Sequence, residues 1–180
     1  IPSSLVGSEM CIRDRVSTLP AHANIMHCHF VFAVKRNRDG SVEKCKARLV
    51  ANGNTQKHGV DFGRVFSSVV KTSTIRLLLI IAAARDYNLH QVDIRQAYLQ
   101  ATVSEQLFMR APPGVWPFGE HGEPLVCKLN RSLYGLKQAG REWATLFASF
   151  LVEWGFVRST IDVCLYCYRA SDSIRWLGSN

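Results

Sequence analysis

Six large apolar side chains near the end of the chain constrain the fold most. Trp143, Leu146, Phe147, Phe150, Leu151 and Trp154 fall at i, i+3, i+4, i+7, i+8 and i+11. That spacing lays all six along one face of an α-helix. Gly155 follows as a C′ residue that can take the left-handed conformation closing a helix. Burying so much aromatic surface at ~25 cal/mol/Å² contributes several kcal/mol, so the stripe is expected in a core. A second helix is expected over residues 74–85. Thr72 and Ser73 offer N-caps there, and Ile75, Leu78, Leu79 and Ala82 recur at helical spacing.

Outside the helices the pattern is β. Phe30, Phe32 and Val34 alternate, Asn37-Arg38-Asp39-Gly40 supplies turn chemistry, and residues 42–50 run back. This is a hairpin signature. The returning strand carries Lys44, Lys46 and Arg48 at spacing two, hence on one face. Residues 107–109, 125–129 and 163–168 read as further strands, with a Pro/Gly-rich loop over 112–124.

Charge follows the hairpin. The 180 residues carry 22 Lys/Arg against 14 Asp/Glu, a net +8. Between Lys35 and Arg76 stand ten Lys/Arg and three Asp/Glu, which places seven of those eight charges in one segment. Such a segment fits the grip of phosphate backbones. It equally fits a solvated edge strand guarded by lysines, and hairpin geometry is compatible with both. With 47% hydrophobic and 20% charged residues, the chain is of the folded class rather than the disordered one. Its longest apolar run, residues 77–84, is far too short to cross a bilayer.

The stretch Leu89-His90-Gln91-Val92-Asp93-Ile94-Arg95-Gln96-Ala97-Tyr98-Leu99 reads as a short strand that ends in a carboxylate and breaks into a helix. Asp93 there can cap the next helix. It can also face a cleft as a ligand for a hard cation such as Mg²⁺, with Tyr98 returning to the same side to line a sugar pocket. The six cysteines (Cys11, Cys28, Cys45, Cys127, Cys164 and Cys167) show no framework spacing, and free thiols in a reducing compartment are expected. Cys164 and Cys167 lie three apart in an expected strand and point to opposite faces, a poor metal pair. His27-Cys28-His29 lacks a second ligand pair at finger spacing. Residues 1–15 look foreign to the rest of the chain, since Leu5 to Arg15 resembles a translated sequencing-library adapter. They are expected to be an artefactual or disordered leader. Residues 16–170 then form the domain, and 171–180 a disordered tail.

Several segments in order resemble one family. They are Lys46-Ala-Arg-Leu-Val-Ala-Asn-Gly53, Phe66-Ser-Ser-Val-Val-Lys71, Ile75-Arg-Leu-Leu-Leu79 and Leu89-His-Gln-Val-Asp93. Ala111-Pro-Pro-Gly114, Val126-Cys-Lys-Leu129 and the most specific run, Ser132-Leu-Tyr-Gly-Leu-Lys-Gln-Ala139, complete the set. Together they resemble the reverse transcriptase domain of copia-type LTR retrotransposon polyproteins, over roughly residues 30–168. The resemblance implies an α+β fold: right-hand polymerase fingers and palm, an antiparallel sheet backed by helices, incomplete at the C-terminus. It implies two-metal nucleotidyl transfer from dNTPs to a primer 3′-OH, with two Mg²⁺ ions as cofactor. The implied partners are an RNA template, a DNA primer and the remainder of the polyprotein, with no membrane. The implied location is intracellular, in a cytoplasmic virus-like particle or the nucleus.

Carried over residue by residue, Asp93 matches the first metal-binding aspartate, and the Ile94 carbonyl matches a backbone metal contact. Tyr98 matches the residue that excludes a ribose 2′-OH. Lys46 and Arg48 match cations that meet the incoming triphosphate, while Gly135, Lys137 and Gln138 match a motif lining the nucleotide and template site. Departures accompany the matches. Asn52 and Asn54 stand where the family has a basic residue and an aromatic, respectively. The family's Tyr-Val-Asp-Asp is not found in these 180 residues, and neither Asp162 nor Asp172 replaces it. A fragment inactive by itself is therefore expected. The alternative is a non-catalytic nucleic-acid-binding remnant of a retroelement.

Overall fold

The computed structural model describes residues 12–15, 19–112, 126–170 and 173–179. Its elements in chain order are β1 (Ile12–Arg15), β2 (Ile25–Met26), β3 (Cys28–Arg36), β4 (Val42–Ala51), α1 (Thr72–Arg85), α2 (Ala97–Gln100), β5 (Thr102–Arg110), β6 (Val126–Arg131), α3 (Ala139–Glu153), β7 (Val157–Arg158), β8 (Leu165–Ala170) and β9 (Ser173–Gly178). The chain is a mixture of small sheets and three α-helices among the described residues. It divides into two compact units, residues 1–65 with 96–143, and residues 66–95 with 144–180.

The first unit holds a four-stranded sheet in the order β1-β6-β5-β2 and the separate β3–β4 hairpin. The sheet is antiparallel except where Ile25 and Met26 run parallel to Phe108 and Met109, which corrects the wholly antiparallel expectation. A strand of two residues can join either way, because so short a pairing needs only its edge hydrogen bonds. Leu107, Phe108 and Met109 are all buried, so β5 is covered on both faces. Met26, Leu49, Ala51, Leu99, Leu129, Leu133 and Leu136 close the core around it. β1 pairs with β6, Ile12 opposite Leu129, so part of the segment expected as a leader has strand backbone. Residues 1–11 lie outside the described residues, as does most of the Pro/Gly-rich loop.

The hairpin forms as its alternation dictates. Ala47, Leu49 and Ala51 are buried, while Arg48 between them is exposed. Gly40 takes φ +85° in the turn, and the Asp39 carboxylate accepts from the Ser41 N–H at 2.9 Å and its hydroxyl at 2.6 Å. Those bonds hold the Asp39 carboxyl below its usual range.

The second unit holds α1, most of α3 and the sheet β7-β8-β9. Helix α1 begins at Thr72, two residues before its expected start, with Lys71 as N-cap. The cap is supplied from far along the chain: buried Asp162 accepts from the Lys71 N–H at 3.0 Å and the Thr74 hydroxyl at 2.6 Å. A carboxylate at this end also meets the positive pole of the helix dipole. Helix α3 closes as expected, in a Schellman motif. Gly155 sits at φ +87°, its N–H reaches the Val152 carbonyl, and the Phe156 N–H reaches Leu151.

Three expectations fail in this unit. Residues 171–180 are not an irregular tail throughout, because Ser173–Gly178 pair with β8 along their length. Alternation of Ile174 and Trp176 with Arg175 gives that strand its two faces. Residues 89–93 form no strand: they take no regular secondary structure and have no ladder partner among the described residues, and Val92 is 82% exposed. Without a neighbour to accept its backbone groups, alternation alone makes no sheet. Helix α1 accordingly meets β9, where Val70 and Leu78 lie 3.6 and 3.8 Å from the position of a Cβ on Gly178. Finally, the α3 stripe is not uniformly core. Leu151 is buried, but Leu146, Phe150 and Trp154 are exposed. Phe150 and Trp154 pack on each other instead, with ring centroids 4.9 Å apart.

No disulfide joins Cys28, Cys45, Cys127, Cys164 or Cys167 among the described residues. Burial, reinforced by Cys127, pushes the Cys28 thiol up to about 11, so it stays protonated at neutral pH. No helix among the described residues is long and apolar enough to cross a membrane.

Asp162 yields a pH prediction. Bonds from the Thr74 hydroxyl and the Cys164 and Lys71 amides hold its carboxyl below the ordinary 3.8. Its contribution to stability is therefore full above that value and is lost as pH falls through the lowered pKa. Asp162→Asn is expected to lower the thermal midpoint at pH 7, with the gap from the unsubstituted chain shrinking below pH 3.8. Circular-dichroism melts at pH 7 and pH 3 check this; equal gaps at both would contradict it.

Candidate functional site

The chemistry-bearing side chains of the first unit converge where the segment after β6 crosses β4. The Tyr134 carbonyl accepts the Ala51 N–H at 2.8 Å, and Val50 and Tyr134 form a parallel bridge. Two glycines make the crossing possible. A Cβ on Gly135 would lie 2.1 Å from the Ala51 carbonyl oxygen, and one on Gly53 would lie 2.0 Å from the Gly135 oxygen. Gly135 also sits at φ +89°, a conformation L side chains rarely adopt.

The crossing presents Tyr134. Its ring meets the edge of Tyr98 at 5.1 Å and an interplanar angle of 63°. The Arg48 guanidinium carbon lies 5.8 Å from the Tyr134 centroid. Tyr98 is carried by α2, whose N-cap, Gln96, is in the left-handed region at φ +54°. Arg131 secures that short helix by donating to the Gln100 carbonyl at 2.6 Å. Arg48, Tyr98 and Tyr134 are thus brought together from three segments.

Lys46 is half-buried, two residues before Arg48 on the same face, with Ala33 opposite it across the hairpin. Lys35 stands opposite Lys44, and its like charge is offset by an ion pair to Glu43 at 2.8 Å. The face that carries Arg48 and Lys46 is therefore cationic, with an aromatic pair at one end.

Lys137 and Gln138 diverge. Lys137 is exposed, and its Nζ lies 4.6 Å from the centroid of Phe62. Gln138 is completely buried. Its Oε1 accepts from Gln56 Nε2 at 2.9 Å, and its Nε2 donates to the Asp61 carbonyl at 2.8 Å. Its amide thus has protein partners on both atoms and no exposed surface, unlike the expected nucleotide contact.

Asp93 and Ile94 belong to the second unit, on the irregular stretch after α1. Both are exposed, and no ion pair among the described residues holds the Asp93 carboxylate. Magnesium takes one or two carboxylates plus substrate phosphates, so an unpaired exposed carboxylate is a fitting single donor. Among the described residues no group of three His, Cys, Asp or Glu side chains could hold a metal ion.

Tyr134 is the site residue that sequence reasoning missed. Its signal was present in the Tyr-Gly pair: a glycine needed for a close crossing leaves the preceding side chain displayed on it.

A family model described as reverse transcriptase (RNA-dependent DNA polymerase) matches residues 14–176. The chain belongs to this reverse transcriptase family. Among curated proteins, this reverse transcriptase chain is 39% identical over 165 residues to the retrovirus-related Pol polyprotein from transposon RE1 of Arabidopsis thaliana, covering 91% of the chain and 11% of that polyprotein. It is 39% identical over 155 residues to the Pol polyprotein from transposon TNT 1-94 of Nicotiana tabacum, covering 86% of the chain and 12% of the relative. A Saccharomyces cerevisiae Gag-Pol polyprotein from transposon Ty1-NL2 is 33% identical over 147 residues, covering 76% of the chain and 8% of the relative. The chain therefore spans about a tenth of the length of the curated relatives it matches. These relatives identify it with the copia-type retrotransposon branch of the family. No solved structure matches it significantly.

The glycine crossing gives the prediction here. Gly135→Ala combines a left-handed backbone with overlap on a carbonyl, and is expected to destabilise the first unit by about 3 kcal/mol or more. Urea unfolding followed by tyrosine and tryptophan fluorescence measures it; a loss under about 1 kcal/mol would show that the crossing relaxes at little cost.

Proposed function

We propose that this chain supplies the nucleotide-binding part of an RNA-directed DNA polymerase of a copia-type retrotransposon. It would act within a larger polyprotein on an RNA template and a DNA primer. The observation that carries the reading is the convergence of Arg48, Tyr98 and Tyr134 beside the cationic face of β4. Arg48 and Lys46 would bind the triphosphate of a dNTP through charge-assisted hydrogen bonds. The edge of Tyr98, braced by Tyr134, would pack against the sugar and leave no room for a ribose 2′-OH. The Asp93 carboxylate and the Ile94 carbonyl would hold a divalent cation. Bound in the family's pair, such ions stabilise the attacking and leaving oxygens of phosphoryl transfer. In the right-hand arrangement of this reading, the β3–β4 hairpin is the fingers, and the remaining sheets with their helices are part of the palm.

A single carboxylate can bridge two ions about 3.5–4 Å apart but supplies too few oxygens to retain both. The 180-residue polypeptide assayed by itself is therefore expected to extend no primer. Extension that disappears in Asp93→Asn would overturn that part of the reading. Nucleotide binding is tested separately by titrating dTTP with Mg²⁺ into the chain. Arg48→Ala is expected to weaken dTTP about tenfold with unchanged circular dichroism, the weight of one charge-assisted hydrogen bond. Tyr98→Ala is expected to narrow the preference for dTTP over UTP. Unchanged affinity in Arg48→Ala would remove the triphosphate assignment. Steep salt-dependent hybrid binding without any dTTP binding would instead favour the non-catalytic nucleic-acid-binding remnant.

A further inference from the structure

The hairpin carries a histidine that the proposed function leaves unused. His29 is exposed, whereas Cys28 and Phe30 on either side of it are half-buried and pack against the core. Alternation therefore turns His29 outward, onto the face of Val31 and Arg48. It stands opposite Val50, and Arg48 stands opposite Val31, so His29 and Arg48 are diagonal neighbours about 7–8 Å apart. Val50 bridges to Tyr134 on its other flank. The histidine thus borders the Arg48–Tyr134 contact from the hairpin side, with Arg48 diagonal to it and Tyr134 beyond Val50.

Its ring is held in one orientation. The His29 Nδ1–H donates to Asn52 Oδ1 at 2.7 Å. Asn52 is itself pinned by its backbone: its N–H reaches the His27 carbonyl at 2.8 Å, and its carbonyl takes the Thr55 N–H at 3.0 Å and hydroxyl at 2.7 Å. An amide oxygen has no hydrogen to give, so this bond places the ring hydrogen on Nδ1 and leaves Nε2 for a ligand.

The charged groups along this face are cationic. Lys44, Lys46 and Arg48 follow one another on β4 and Lys35 lies on β3, while Glu43 is taken by Lys35 at 2.8 Å. Like charges gathered on one face repel, and an anion laid across them relieves that repulsion. An imidazole that carries both ring hydrogens adds a donor and a charge at the end nearest Tyr134. Histidine gains its second hydrogen in the range around neutrality.

We propose that His29 is a further phosphate-binding residue, whose Nε2–H donates to a phosphate oxygen shared with Arg48 while Asn52 orients the ring. This rests on the proposed reading of the Arg48–Lys46 face as a phosphate site. The same chemistry is offered by a dNTP triphosphate and by a nucleic-acid backbone.

Two ligands separate those sources: dTTP with Mg²⁺ and a short RNA–DNA hybrid, each titrated at pH 7 into the 180-residue chain. His29→Ala is expected to weaken one of them about tenfold with unchanged circular dichroism, the weight of one charge-assisted hydrogen bond. His29→Lys, which keeps a donor and a charge, should restore most of the loss. A loss on dTTP assigns the contact to the triphosphate. A loss on the hybrid, with a salt slope shallower by about 0.9, assigns it to the backbone. Asn52→Ala should weaken the same ligand about threefold, with no further loss in the His29→Ala background. In ¹⁵N spectra of the imidazole, ligand-bound His29 is expected to carry hydrogen on both nitrogens. A bound ring with bare Nε2, an equal loss in His27→Ala, or losses that multiply with Asn52→Ala would each overturn the proposal. So would wild-type affinity for both ligands in His29→Ala while Arg48→Ala binds weakly, a result that leaves the phosphate reading intact. Wild-type affinity for both in Arg48→Ala as well would remove that reading and this inference together.

Discussion

The first unit depends on two stretches of backbone passing closer than any side chain allows. The hydrogen bond from Ala51 to the Tyr134 carbonyl can form because Gly53 and Gly135 contribute no Cβ on either side of it. Everything displayed at the site depends on that contact. β4 carries Arg48 a few residues before the crossing, and the crossing itself holds Tyr134 out to meet Arg48 and Tyr98. On its inner side the same turn sends Leu133 and Leu136 into the core. A single backbone approach thus links packing to the cationic face.

Much of this was legible in the sequence, for reasons that are local. The hairpin could be read because alternation and an Asp-Gly turn specify one register, and the observed pairing keeps Ala47, Leu49 and Ala51 inward. The end of α3 could be read because glycine tolerates the left-handed cap it adopts. Arg48 and Tyr98 were nominated by resemblance and are brought to one place. Tyr134 was not, since its role arises from a crossing between segments more than eighty residues apart. Gln138 was read as a contact because a polar residue in a motif looks the same whether it faces ligand or core; its burial shows only in three dimensions.

The second unit shows where periodicity misleads. Alternation at residues 89–93 and a helical stripe at 143–154 state which faces are apolar, not what lies against them. α1 is the clearest instance. Ile75, Leu77, Leu79 and Ile80 are exposed, and only Ala82 is fully buried. Its order comes from elsewhere, through the Asp162 carboxylate at its first turn and β9 along its side. A polar residue from a distant loop does here what the sequence assigned to Thr72 and Ser73.

The ladder between β1 and β6 carries a consequence for handling the protein. β6 has β5 on one flank and Ile12–Arg15 on the other, so its donors and acceptors are shared out on both sides. Trimming the chain to exclude the adapter-like residues would strip one flank and leave a bare row of amides and carbonyls beside the best-packed part of the molecule. Such a row recruits strands from other chains. A shortened version would thus trade an odd-looking terminus for a surface prone to self-association.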